Sequence, residues 1–133
     1  MYTWVDHTGE LQLRIEAPTE EAVFADALLA FAELVGDGDG GGQGPEHREI
    51  ELEDDERALL LADWLNELIY LADRDRFVPS GLSELELGSS GLRAVVRGRR
   101  GDPRPLVKAA SLHNLEYGPA DGPGWRARLV LDV

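Results

Sequence analysis

Apolar residues recur at every second position through Leu11, Leu13, Ile15 and Ala17. Just past Pro18 the spacing lengthens, and Phe24, Ala27, Leu28, Phe31, Leu34 and Val35 recur every third or fourth position. A period of two builds a strand with one buried face, and a period near 3.6 builds a helix with one apolar stripe. No other feature constrains the chain as strongly, because the strand's apolar face and the helix's stripe must bury each other. Pro18 stops the strand, Thr19 is a good N-cap, and Glu20 and Glu21 lie favourably against the dipole of the first turn. Gly36 ends the helix as a natural residue just past its last turn.

The same two periods return along the chain. Thr3–Val5 reads as a short strand, and Asp6-His7-Thr8-Gly9-Glu10 as a polar turn leading into the strand at Leu11–Ala17. Arg48–Glu53 alternates through Ile50 and Leu52. Asp54 or Asp55 caps a second helix reaching about Ala72, with Leu60, Leu61, Trp64, Leu65, Leu68, Ile69 and Leu71 as its apolar face. Val78-Pro79-Ser80-Gly81 reads as a turn. Glu84–Leu87 and Leu92–Gly98, joined by Gly88-Ser89-Ser90-Gly91, form a hairpin signal. A strand follows around Val107–Leu112, and Trp125–Val133 closes the chain with Trp125, Ala127, Leu129, Leu131 and Val133 on one face. Two helices among some seven strands predict an α+β domain, a sheet packed with two helices. With 133 residues there is room for a single domain, residues 1–133.

Between Gly36 and Pro45 the glycines predict a flexible loop, residues 36–45. It is no P-loop, because no Lys-Ser or Lys-Thr follows and no helix opens directly after it. Asp37 and Asp39 make a poor calcium site, lacking a spaced third ligand. The formal net charge of −13 matters more. Affinity for phosphate backbones comes from Lys and Arg displacing counterions, so an acidic chain is not expected to bind nucleic acid strongly by itself, nor anionic membranes. A basic protein partner or divalent cations suit it better. No segment approaches the roughly 18 apolar residues of a membrane span, and Met1–Glu10 lack a signal-peptide core, so the expected location is cytoplasmic. Twelve of the thirteen cationic residues are Arg, which makes Lys108 stand out.

Reactive groups are few. There is no cysteine, which excludes disulfides, thiolate zinc sites and thiol nucleophiles. The histidines are His7, His47 and His113, and no Ser sits in a G-x-S-x-G elbow. Asp6-His7-Thr8 has the residue types of a catalytic relay, but triad members meet through the fold rather than as sequence neighbours. Carboxylates are the richer inventory. Alternation puts Glu49, Glu51 and Glu53, and likewise Glu84 and Glu86, on outward faces. Glu10 differs by lying just before a strand, and Asp132 by lying beside Val133, whose α-carboxylate would make a pair with it. If the last strand runs beside the Asp6–Glu10 turn, three hard oxygen donors converge in the outline of a Mg²⁺ or Ca²⁺ site, with Asp6 as the nearest reserve acid.

Five segments in order carry a resemblance: Asp6-His7-Thr8-Gly9-Glu10, the helix opening Thr19-Glu20-Glu21-Ala22, Trp64-Leu65-Asn66-Glu67-Leu68, Val107-Lys108-Ala109-Ala110-Ser111-Leu112-His113, and the closing Leu129-Val130-Leu131-Asp132-Val133. The colinear set, spanning nearly the whole chain, resembles the archease family. The resemblance implies an α+β fold of strand-helix-strand-strand type. It also implies a non-enzymatic accessory role: activation of the tRNA-splicing RNA ligase that joins 3′-phosphate or cyclic-phosphate ends to 5′-hydroxyl ends. The accessory protein promotes guanylylation of that ligase and sustains its turnover. By position, the family's divalent-metal ligands fall on Glu10, Asp132 and Val133, with Ca²⁺ the expected ion and Mg²⁺ or Mn²⁺ the alternatives. Glu10 departs from the family's usual Asp, and the Gly36–Pro45 loop is longer than the family leads one to expect. Two competing readings are an acidic, chaperone-like protein-interaction module and a metal-dependent hydrolase built on Glu10, Asp6 and His7. The first would need an exposed apolar patch, the second turnover without a partner.

Overall fold

The computed structural model describes residues 1–7, 10–36, 45–104 and 107–133. In chain order its elements are β1 (Tyr2–His7), β2 (Glu10–Ala17), α1 (Glu20–Val35), β3 (Pro45–Glu53), α2 (Arg57–Asp75), β4 (Phe77–Leu87), β5 (Gly91–Arg100), β6 (Ala109–Pro119) and β7 (Trp125–Asp132). The expected α+β class holds, and the strands divide into two sheets: a four-stranded one in the order β1-β2-β7-β6 and a three-stranded one in the order β3-β5-β4. Every neighbouring pair is antiparallel. Asp37, Asp39 and most of the glycine-rich loop lie outside the described residues, as do Thr8 and Gly9. Pro45, expected to belong to that loop, opens β3 instead.

Each helix packs against both sheets. α1 touches β2 and β7 of the larger sheet and β4 of the smaller; α2 touches β6 of the larger and β3, β4 and β5 of the smaller. The apolar stripe read from the sequence is the buried one: Phe24, Ala27, Leu28, Phe31 and Val35 on α1, and Leu60, Leu61, Trp64, Leu65 and Leu68 on α2. Leu11, Leu13, Ile15 and Ala17 meet Leu131, Leu129, Ala127 and Trp125 in register on the sheet face that the helices cover. The buried Trp64 donates its indole N–H to the Phe24 carbonyl at 3.0 Å, which satisfies a polar handle that would otherwise be costly inside the core. Its ring begins a run of tilted contacts from Phe24 through Tyr117 to Trp125, with centroids 6.5, 6.4 and 5.9 Å apart, tying both helices to β6 and β7.

Thr19 caps α1 as expected, its side chain accepting the Ala22 amide at 3.1 Å. The helix ends at Gly36 without a left-handed turn, its φ being −61°. Glycine is required there for another reason: a Cβ would stand 2.9 Å from the Ala32 carbonyl oxygen. Three expectations need correction. The residue capping α2 is Glu56, not Asp54 or Asp55, and Asp54 instead accepts the Glu56 amide at 3.1 Å. α2 also runs a turn further than Ala72, ending at Arg76, which takes the left-handed conformation with φ 59°. The Val78–Gly81 segment is no turn but part of β4, with irregular register at Pro79/Gly81 and Leu82/Glu84. Proline is tolerated because β4 is an edge strand, paired on one side. No helix is long and apolar enough to cross a membrane among the described residues.

Candidate functional site

One end of the four-stranded sheet gathers the residues singled out above. Glu10 opens β2 and stands directly opposite Asp132 of β7, while His7 of β1 pairs with Glu10 on its other side. From β6, Ala109 pairs with Asp132, and just before it the Lys108 amide donates to the Asp132 carbonyl at 2.8 Å. All four strands therefore converge on the Glu10–Asp132 pair. Directly opposed residues in antiparallel strands project from the same face, with Cβ atoms about 4.5–5.5 Å apart. The face is the one turned away from the helices, because Leu11 and Leu131, the neighbours of the pair, point into the core.

Both carboxylates reach solvent, Glu10 half-buried and Asp132 exposed. Among the described residues neither has a hydrogen bond or ion pair to a protein cation. Two like charges directly opposite one another destabilise a sheet unless something positive lies between them. A divalent cation answers that requirement, and hard carboxylate oxygens are its preferred donors. Val133 follows Asp132 at 42% exposure. No cluster of three or more His, Asp or Glu side chains suited to a metal ion occurs among the described residues. Glu10 and Asp132 thus place two carboxylates side by side, short of a complete ligand set. The reserve role given to Asp6 does not fit: it pairs with Leu11, on the opposite face from Glu10.

The neighbouring surface holds few other reactive groups. Lys108 is exposed and lines a cavity of about 380 Å³ with Phe31, Ile69, Asp73 and Arg104. His113 sits in an irregular stretch of β6, where Ser111 and Glu116 pair with Val130 and Arg128 and four residues bulge against one. At the far end of the sheet, Glu20 accepts from the Tyr117 hydroxyl at 2.7 Å and from Arg57 Nε at 3.1 Å. Burial, and then this bond, push the Tyr117 phenol well above its usual range, so it stays a neutral donor. That assembly is a structural clamp between α1, α2 and β6, too fully satisfied to offer a base or nucleophile.

A sequence model of the Archease protein family matches residues 2–133. The protein archease of Methanosarcina barkeri is 31% identical over 142 residues, covering 99% of this chain and 95% of that one. That of Methanopyrus kandleri is 32% identical over 137 residues, covering 97% and 96%. Among solved structures, protein 1598 of Methanobacterium thermoautotrophicum matches with a TM-score of 0.75 and 27% identity, over 99% of this chain and 98% of that one. An archease of Thermotoga maritima, described as a possible chaperone, matches with a TM-score of 0.70 over 100% and 98%; at 19% identity this is a likeness of fold.

Proposed function

The chain belongs to the archease family, and from that premise we propose that it is an accessory protein that activates a GTP-dependent tRNA-splicing RNA ligase. It does so by promoting guanylylation and repeated turnover, not by catalysing joining. The observation that carries this reading is the opposed pair Glu10–Asp132 at an open end of the sheet, with no ion pair to either among the described residues. In the proposed site these two carboxylates and the Val133 α-carboxylate hold a divalent ion, Ca²⁺ before Mg²⁺ or Mn²⁺. When bound, such an ion supplies charge neutralisation for phosphate oxygens. The chain's own residues do the rest. β2 and β7 fix the two carboxylates on one rigid face, the Lys108 amide anchors Asp132 from behind, and exposure leaves room for a partner's phosphate or carboxylate to complete the shell. The Lys108 side chain lines a cavity with Phe31 and Ile69 on the helix side of the sheet, so it has no part in the proposed site.

The test is joining kinetics on RNA bearing 3′-phosphate and 5′-hydroxyl ends. Substoichiometric amounts of the protein should raise the cognate ligase's multiple-turnover rate, and the protein alone should join nothing. Asp132→Ala should weaken Ca²⁺ binding about tenfold or more and abolish the stimulation while leaving the fold intact. A C-terminal extension of a few residues should do nearly as much harm. A ligase turning over equally fast with and without the protein would overturn the activator reading. Full stimulation by an extended protein would remove Val133 from the site. The chaperone-like reading predicts instead that an aggregating client is protected without any divalent ion. Its structural requirement is an exposed apolar patch, for which the exposed apolar side chains are Met1, Leu29, Tyr70, Leu112 and Val133 among the described residues.

A further inference from the structure

On the same outward face of the four-stranded sheet, two rows beyond the acidic pair, Arg14 of β2 stands directly opposite Arg128 of β7. The next row on that face pairs Glu16 with Arg126. Three guanidinium groups thus share the middle of one sheet face in a chain whose net charge is −13. Their compensation is incomplete. Arg128 is bonded to Glu116 at 2.7 Å, yet its Nε is buried without any acceptor. Among the described residues Arg126 reaches only Asp121, at 3.8 Å and with the carboxylate 97% exposed, a contact worth little. Arg14 donates its Nε to the neutral Gln12 amide oxygen at 2.9 Å and has no ion pair among the described residues. The three arginines, with Glu16 and Glu116, line an open cavity of about 780 Å³.

Like charges directly opposed across strands cost stability, and a buried donor with no acceptor costs more. A sheet needing only to fold would not set Arg14 against Arg128. We propose that this face is a binding site for a small polyphosphate, an oxyanion with two or more phosphoryl groups. Guanidinium forks bind phosphoryl oxygens in pairs, and the Arg14–Arg128 pair, about 5 Å apart at Cβ, frames one such group. Arg126 lies one row on, about 7 Å along the strand, and is placed to meet a second phosphoryl group. A long nucleic acid is disfavoured because most of it would lie over the acidic remainder of the surface, while a short polyphosphate meets only the arginines. This site shares a face with the Glu10–Asp132 pair but is independent of it and of the activator reading.

The experiment is calorimetric titration of the full chain with inorganic pyrophosphate and with inorganic phosphate, in chelator so that no divalent ion bridges ligand to Glu10 and Asp132. Pyrophosphate should bind at least tenfold more tightly than phosphate. Arg14→Gln should weaken pyrophosphate at least tenfold and Arg14→Lys by less, since lysine keeps the charge and loses the fork. Asp132→Ala, and Arg93→Gln on the other sheet, should bind as the parent does. Arg14→Gln without ligand should melt at or above the parent's temperature, because it relieves the opposition to Arg128. No pyrophosphate binding by the parent, equal loss in Arg93→Gln, or an Arg14→Gln protein that melts lower and binds normally would each overturn the proposal.

Discussion

At Gly98 the three-stranded sheet leaves no room for a side chain. A Cβ there would lie 2.3 Å from the Val78 carbonyl oxygen and 2.6 Å from the edge of the buried Phe77 ring. The first obstacle is backbone held by the β4–β5 ladder, so it cannot swing aside. Gly98→Ala should therefore cost about 1–3 kcal/mol or more, read as a lower urea midpoint with an unchanged slope. Glycine's small size was visible in the sequence, but its obstacle was not, because Phe77 and Val78 lie twenty residues away. The candidate metal residues were legible for a different reason. Glu10 and Asp132 stood out beside a turn and a chain end, and the family resemblance selected the same positions; what the fold adds is their direct opposition. The Arg14–Arg128 pair is not legible locally, because it depends on the register of two distant strands. Setting Glu10 opposite Asp132 and counting inward along the antiparallel pair would have disclosed it.

Among the elements, α2 carries two carboxyls whose environments act in opposite directions. Burial, and then the nearby Asp54, push the Asp63 carboxyl above its ordinary range. The folded chain therefore binds a proton there more readily than the unfolded chain, and stability falls as pH rises from the ordinary aspartate value of about 3.9 through the raised one. At neutral pH the whole penalty is present, so Asp63→Asn should raise the melting temperature at pH 7, with the gain fading towards pH 4. At the helix's other end, bonds from Arg74 and then Arg48 hold the Asp75 carboxyl far below its ordinary range. Its contribution is present above the ordinary value and is lost as pH falls towards the depressed one. Asp75→Asn should thus lower the melting temperature at pH 7 and do less harm in acid, the reverse of Asp63→Asn. Identical pH profiles for the two variants would show that neither environment has been understood. The helices were read well because their stripes repeat over four or five turns. The misread elements are those in which local chemistry is ambiguous: Pro79 and Gly81 carry turn signals inside an edge strand, and β6 runs to Pro119 through a bulge where Asn114 adopts φ 57°.

Over the whole molecule the charge is not evenly spread. On the outward face of the three-stranded sheet, Glu49 and Glu84 flank Val95, and Glu51 and Glu86 flank Arg93, so four carboxylates surround one guanidinium. The arginines of the other sheet point outward from the opposite layer. The net charge of −13 thus includes a patch of four carboxylates beside Arg93 and Arg97, an arrangement suited to steering the proposed basic partner. Two consequences separate steering from contact. Affinity for single-stranded RNA alone should be weaker than about 100 μM at physiological salt, because few counterions are released; a sub-micromolar constant would contradict this. Association with the proposed ligase partner should slow as the Debye length shrinks from about 10 Å at 0.1 M salt to about 3 Å at 1 M, while dissociation changes less. Replacing Glu49, Glu51, Glu84 and Glu86 together with Gln should lower the association rate at low salt and flatten its salt dependence. These side chains are exposed at the sheet surface, so the fold should survive, which circular dichroism and the melting temperature would verify. Stopped-flow rates that fall with salt as steeply in the quadruple variant as in the parent would place the steering charge elsewhere. Rates independent of salt in both would mean that an apolar contact, not the acidic face, governs the encounter.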